Sequence, residues 1–430
     1  MDKDLRIQKI GEIINTSQAK SSKRIIYKKN PEEVKSYDIP VECLVFNKYN
    51  GRIGTFVKTH EKQYGPIDAT TDEGEKLIVD FLWKSKETRN KETLSDIKDK
   101  GQLEIGIITK DGVIIDGNRR CMLLKKIDEQ RNSRPTYFHA AVLGDRLEDN
   151  PKEIRKLETI YQMGADQPVD YNAIEKYLKC KELSEKDGFT KEEIAKFMGE
   201  KPAKIEEYLK ILDLMEEYLK NLGYEEMYTV LSEERLEGPF VNLTSYLETH
   251  KTGKRIQGRD WTPVRDDVSD LKNIYFDYIR AGFGTQPPRD IGNPAKGQGF
   301  FSHQKLWKEF VVKYSETVEI INDNEKALEV LKQERPDENI DSLIKGRDSD
   351  WKNKAKDLLK ENLYKTKRDL EDENEANEPL VLLQRAFNSL SAINKNSDSV
   401  EGDDIKDISH KIRKLVEGLI KTVEQKDKNK

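Results

Sequence analysis

Apolar and polar positions change period several times along the chain, and each change marks an element. Ile39-Pro40-Val41-Glu42-Cys43-Leu44-Val45 reads as a strand, followed by a polar loop, Asn47-Lys48-Tyr49-Asn50-Gly51-Arg52. Helical spacing is expected around Gly74 to Leu82 and around Glu92 to Lys100. Glu104 to Thr109 returns to a strand, Lys110-Asp111-Gly112 to a hairpin turn, and Tyr137 to Leu143 to a further strand. The sharpest change lies between Asp111 and Arg120. Val113 to Ile115 form a short buried strand, Gly117 sits at the hand-over, and Cys121-Met122-Leu123-Leu124-Lys125-Lys126-Ile127 takes helical spacing.

From Pro151 to about Leu222 the pattern is helical throughout. Thr190 and Glu193 form a capping box, Ile194, Ala195 and Met198 an apolar face, and Gly199 a turn. Ile205, Leu209 and Leu212 then face a second helix, which is the pattern of a helix-turn-helix. Helices continue over 223–280. The stretch from Arg280 to Phe300 holds five glycines and three prolines and is expected to be irregular, as a flexible linker or, with Arg280, Arg289 and Lys296, a mobile lid or nucleic-acid loop. Charged amphipathic helices are expected over 304–337, 346–373 and 378–393. A last helix keeps a stripe of Ile405, Ile408, Ile412, Leu415, Val416, Leu419, Ile420 and Val423, which must be buried on something, and Gln425 to Lys430 reads as a frayed tail.

These shifts divide the chain into a flexible basic arm over 1–36 (with Lys20, Lys23, Arg24, Lys28 and Lys29) and an α+β domain over 37–150. A helical helix-turn-helix domain follows over 151–222, a helical region with the Gly/Pro-rich loop over 223–303, and a charged helical region for homo-oligomerisation over 304–430. The 430 residues carry 76 basic and 81 acidic side chains, net −5, so no global basic field advertises nucleic acid and any DNA contact must come from local patches. Cys43, Cys121 and Cys180 form no CxxC pair, and His60, His139, His250, His303 and His410 show no metal-ligand spacing. Nowhere do about 18 apolar residues run together. The expectation is a cytoplasmic protein without membrane contact.

Chemistry concentrates at the strand–Gly117–helix corner. A helix N-terminus presents unpaired N–H groups and the positive end of its dipole, and Arg119 and Arg120 add forked, permanently charged donors, so a phosphate fits there. Arg120 begins the helix stripe facing the sheet, while Arg119 points elsewhere. The alternative is that Asp116 caps the helix and pairs with Arg120, with no ligand involved.

Four segments in order give this region a resemblance to the ParB/sulfiredoxin superfamily, over roughly 39–215. Ile39-Pro40-Val41 with Asn47 to Arg52 resembles the opening strand and its Asn-Pro-x-x-x-Arg-like loop, and Thr93 to Glu104 resembles the helix plus Gly-(Leu/Ile)-x-Gln-Pro segment. Asp116-Gly117-Asn118-Arg119-Arg120 is similar to the Gly-Glu-Arg-Arg or Asp-Gly-His-Arg phosphate loop. Asp170 to Tyr177, followed by Phe189 to Ala195, is similar to the helical linker and helix-turn-helix of ParB proteins. The resemblance implies a ParB/sulfiredoxin-like α+β domain followed by an all-α domain. In that family the loop binds nucleotide phosphates, CTP in ParB clamps and ATP in sulfiredoxin and a free-serine kinase, and some members are described as nucleases. Carried over, Gly117, Asn118, Arg119 and Arg120 contact the phosphates of an NTP (CTP or ATP), Gly101 and Gln102 lie near its base or sugar, and Gln162 is a second contact. Asn118 stands where the family often has glutamate, Glu104 and Ile105 replace Gln-Pro, and no arginine follows Gln162. Fewer carboxylates remain to hold Mg2+ or orient water, and Asp116 is the residue left for a metal. Cys121 follows the arginines, whereas the sulfiredoxin cysteine precedes its His-Arg, so a packed cysteine is the better reading.

On the helix-turn-helix, Lys201 and Lys204 are the candidate DNA contacts, but residues 186–220 hold seven lysines against nine acidic residues, with Glu206 and Glu207 on the reading helix. A helical connector or protein-docking module is the alternative. The leading expectation is a nucleotide-gated, DNA-associated protein. The enzyme alternative is a metal-dependent nuclease, as in phage defence, with Asp116 and Glu104 catalytic, and the third reading is a non-catalytic interaction scaffold.

Overall fold

The computed structural model describes all residues except 29, 131–135, 165–171, 252–255, 296–297, 323–324, 377–378, 395–401 and 429–430. Lys29, Asp170, Tyr171, Lys296 and Gly297 therefore lie outside the described residues. Two compact units result, Met1–Leu363 and Tyr364–Lys430.

The first unit opens with α1 (Lys3–Thr16), whose first N–H groups are accepted by the Asp2 carboxylate, and a hairpin of β1 (Ser21–Tyr27) and β2 (Asn30–Pro40). Three helices follow, α2 (Gly54–Tyr64), α3 (Asp72–Ser85) and α4 (Glu87–Lys100). Then come β3 (Gly106–Ile108), β4 (Ile114–Asp116), α5 (Asn118–Gln130) and β5 (Tyr137–Val142). The sheet order is β1-β2-β5-β3-β4, with β3 parallel to β5 and the other pairs antiparallel. Side chains alternate across a strand, so neighbouring isoleucines enter different cores. Ile108 and Ile114 join Ile39, Phe46, Leu82, Cys121 and Phe138 on one face. Ile107 and Ile115 join Ile25, Tyr27 and Leu143 on the other, closed by Ile154 and Leu157 of α6 (Pro151–Met163).

The described residues among the first 36 are thus built into the fold, contrary to the flexible arm expected from their polarity. Ile10 and Ile25 are buried, and Arg6 Nε donates to the Asp111 carbonyl at 2.8 Å. Alternating Lys23, Ile25 and Tyr27 carry the strand signal that the lysines around them obscure.

Helices α7 (Ala173–Glu185), α8 (Lys191–Met198), α9 (Pro202–Leu222), α10 (Tyr228–Glu233), α11 (Glu237–Lys251) and α12 (Arg265–Arg280) follow. The Gly/Pro stretch, expected to be irregular, contains α13 (Gln286–Gly292), because prolines in a first turn sacrifice no helical N–H bond. Phe300 and Phe301 behind it are fully buried against Trp307 and Phe310, which fixes this segment in an aromatic core. Helices α14 (Gln304–Asn322) and α15 (Leu328–Glu334) follow, and the division between the two units falls within α16 (Ile340–Ala376). That unit contains α17 (Pro379–Ser391) and α18 (Asp403–Lys428), so most of the expected frayed tail is helical. Its apolar side chains Leu380, Phe387, Ile408, Leu415 and Ile420 are exposed. No helix among the described residues is long and apolar enough to cross a membrane.

Candidate functional site

Gly117 turns the chain between β4 and α5 at φ +105°, and a Cβ there would lie 2.6 Å from the Phe138 ring. The two arginines that follow diverge. Arg119 Nε donates to Asn90 Oδ1 at 2.9 Å, and Asn90 Nδ2 in turn donates to the Leu82 and Trp83 carbonyls, so Arg119 is tied to the α3–α4 junction. Arg120 turns to the sheet, donating to the Glu104 carbonyl and to Asp116 Oδ2, each at 2.9 Å. Lys23 of β1 enters the same cluster. Its Nζ lies 3.4 Å from Asp116, 2.6 Å from the Ile105 carbonyl and 5.0 Å from the centre of the Tyr161 ring. Burial pulls the Lys23 ammonium below its usual range, with Asp116 opposing.

This arrangement bears on several expected roles. Asp116 stands between a guanidinium and an ammonium, which together satisfy its charge and oppose a divalent cation. Glu104 contributes its backbone carbonyl to Arg120 and Gln102. Among the described residues no group of three His, Cys, Asp or Glu side chains gathers as a metal-ligand set. The Asp116–Arg120 pair of the alternative reading is present. Cys121 is fully buried, and burial pushes its thiol up to about 12, so it packs rather than reacts.

Several polar residues expected at a nucleotide make hydrogen bonds within the fold. Asn118 is 2% exposed, with its Oδ1 accepting the Asn47 N–H at 3.0 Å and its Nδ2 donating to the Ile114 carbonyl at 3.2 Å. Gln162 accepts the Gly51 N–H at 2.9 Å and donates to the Ile115 carbonyl and Glu158. Glu158 pairs with Lys179 at 3.2 Å inside the protein, and Lys179 also donates to the Tyr49 carbonyl. The loop 47–52 is therefore gripped by α5, α6 and α7. Gly101 ends α4 at φ +74°, and Gln102 acts as an extra rung on β5, accepting the His139 N–H and donating to its carbonyl at 2.9 and 2.8 Å.

Beside this frame a cleft of about 210 Å³ opens between α2, the α3–α4 junction, α7 and α10. Arg52, Thr55, Lys84, Lys86, Asn172 and Glu233 line it. Lys84, which pairs with Asp80 at 2.7 Å, and Lys86 did not stand out in the sequence, because they come beside Arg52 and Asn172 only when the α3–α4 junction folds. The cleft has residues from both the α/β layer and the helical layer on its walls.

The helix-turn-helix follows the sequence closely. The Thr190–Glu193 capping box is formed, and Gly199 turns the chain at φ +68° between α8 and α9. Its surface charges are internally matched: Lys204 pairs with Glu207 at 2.9 Å, Lys191 with Glu206 at 3.2 Å, and Lys210 with both Glu206 and Glu248. Lys201 is exposed at the start of α9.

The sequence matches no protein-family profile and no curated protein. Two solved structures that it resembles are C-terminally truncated ParB chains from Caulobacter crescentus. The one complexed to the centromeric parS site is 16% identical with a TM-score of 0.28, over 56% of this chain and 91% of that one. The one complexed with CTP-gamma-S is 18% identical with a TM-score of 0.17, over 49% of this chain and 92% of that one. Both of these structural neighbours are ParB chromosome-partitioning proteins.

Proposed function

We propose that this chain is a ParB-like nucleotide-binding, DNA-associated protein in which an NTP, with Mg2+, switches assembly or DNA contact. The observation that carries the reading is the cleft at the α3–α4 junction: its walls come from both layers, so a triphosphate resting on Arg52, Lys84 and Lys86 would bridge them. Arg119, linked through Asn90 to the same junction, supplies charge from behind. The exposed stripe of α18 supports self-association, and Lys201 is the cation of the helix-turn-helix offered to a DNA backbone. The nuclease reading is weaker, because Asp116 already faces two cations.

Thermal-shift titration with CTP, ATP and GTP in the presence of Mg2+ tests the proposal. One of these nucleotides raises the melting temperature, and the rise shrinks in Arg52→Ala and in Arg119→Ala. No rise with any of them, or an equal rise in both variants, rejects it. DNA carrying a parS site, the ligand of one neighbour, is the first duplex for a binding assay with and without nucleotide.

A further inference from the structure

Strands β1, β2 and β5 carry four polar side chains whose placement follows from strand register. Asp38 of β2 stands directly opposite His139 of β5, and Ser21 of β1 opposite Ser36 of β2. Cross-strand partners share a face, as do residues two apart, so Ser21, Ser36, Asp38 and His139 project together. His139 Nδ1 lies 2.9 Å from Asp38 Oδ1. Its Nε2 lies 3.3 Å from Ser21 Oγ and 3.2 Å from Ser36 Oγ, and the two hydroxyls are 2.7 Å apart.

The proton arrangement is fixed by chemistry. Burial pushes the Asp38 carboxyl up, but Lys20 and His139 outweigh it and hold the group below the usual carboxylate range. An ionised carboxylate only accepts, so the Nδ1 facing it carries the hydrogen, and Nε2 is the ring atom that faces the serines. Gln102 pins the His139 backbone on the far side. Ser36 is fully buried and Ser21 is exposed, so a substrate reaches Ser21 alone.

We infer that Ser21, His139 and Asp38 form a serine acyl-transfer site for small, activated acyl esters that reach the exposed Ser21 end of β1. Ser21 Oγ attacks the ester carbonyl while its proton passes to His139 Nε2. Collapse of the tetrahedral adduct breaks the bond to the leaving oxygen, which takes that proton and departs as an alcohol. Water then adds to the acyl-Ser21 carbonyl, its proton going to His139 and from there to Ser21 Oγ as the carboxylic acid leaves. The sum is ester plus water giving acid plus alcohol. Asp38 is a positioning residue that holds the ring and its tautomer. Nothing in this chemistry depends on the nucleotide reading.

The test treats the full chain with a fluorophosphonate probe at mildly alkaline pH and maps the adduct by mass spectrometry. The expected adduct is on Ser21, retained in Ser36→Ala and absent in Ser21→Ala. His139→Gln slows its formation by about 100-fold or more. Melting curves establish that each variant is folded, and Ser21 is exposed, so Ser21→Ala leaves the core untouched. Asp38→Asn slows the labelling and Asp38→Glu restores it, both at an unchanged melting temperature; an unchanged rate in folded Asp38→Asn removes Asp38 from the assignment. No adduct on Ser21, or an unchanged rate in folded His139→Gln, overturns the site.

Discussion

The Glu175 carboxylate of α7 accepts the Thr55 hydroxyl at 2.7 Å and the Thr55 N–H at 3.1 Å, placing an acid from the helical layer at the first turn of α2. The orphan N–H groups of that turn receive their acceptor from another domain layer instead of a local cap. Burial pushes Glu175 up to about 7, with the Thr55 and Gly54 donors only partly offsetting it.

That clasp gives stability a pH dependence of defined sign. The folded state holds the Glu175 proton more tightly than the unfolded chain, whose value is near 4.5. Its contribution is therefore complete below about pH 4.5 and is lost as pH rises through about 7, by up to about 3 kcal/mol. Melting temperatures of wild type and Glu175→Gln, compared from about pH 5 to about pH 8, should diverge in favour of the variant as pH rises. A gap that stays constant would exclude the effect.

Phe138 is wedged between two glycines: a Cβ on Gly106 would meet its ring at 2.3 Å and one on Gly117 at 2.6 Å. Gly117→Ala adds a positive-φ penalty to that collision and is expected to destabilise by about 2–4 kcal/mol. Urea unfolding measures it, and a change within about 0.5 kcal/mol would contradict the packing described.

Lys179 and Glu158 neutralise each other almost out of contact with solvent. Lys179→Met leaves the carboxylate with the Gln162 amide but no cation and should cost about 3–5 kcal/mol, whereas Glu158→Leu with Lys179→Met should recover most of it. Strict additivity in the double-mutant cycle would show that the two charges do not interact.

The α18 stripe predicts a change of mass. Ile408→Asp with Leu415→Asp places two carboxylates on exposed apolar positions and should lower the particle mass by light scattering, without altering the melting of the first unit. A wild-type chain that is already monomeric at micromolar concentration would dismiss self-association through this helix.

What the sequence reveals depends on how local the cause is. Thr190, Glu193 and Gly199 act within one turn of their own positions, so their cap and bend were readable directly. Gly117 was readable for the same reason. The partners of Arg119, Asn118 and Gln162 were not, since residue type states how many hydrogen bonds a group makes and not with whom. Lys23 reaches Asp116 because β1 and β4 meet the same end of α6 from opposite edges of the sheet, a relation set by register across five strands. Ser21, Asp38 and His139 become neighbours in the same way, from positions scattered along the sequence.

The loop 47–52, gripped by Asn118, Gln162 and Lys179, has its conformational freedom removed before any ligand arrives. Ordering entropy is the usual toll on loops that meet nucleotides, and here it has already been met by folding. Association at the Arg52 side of the cleft should then show little slow rearrangement. Motion accompanying occupancy falls to the facing helices, so the speed of binding and the extent of the helical response become separable quantities.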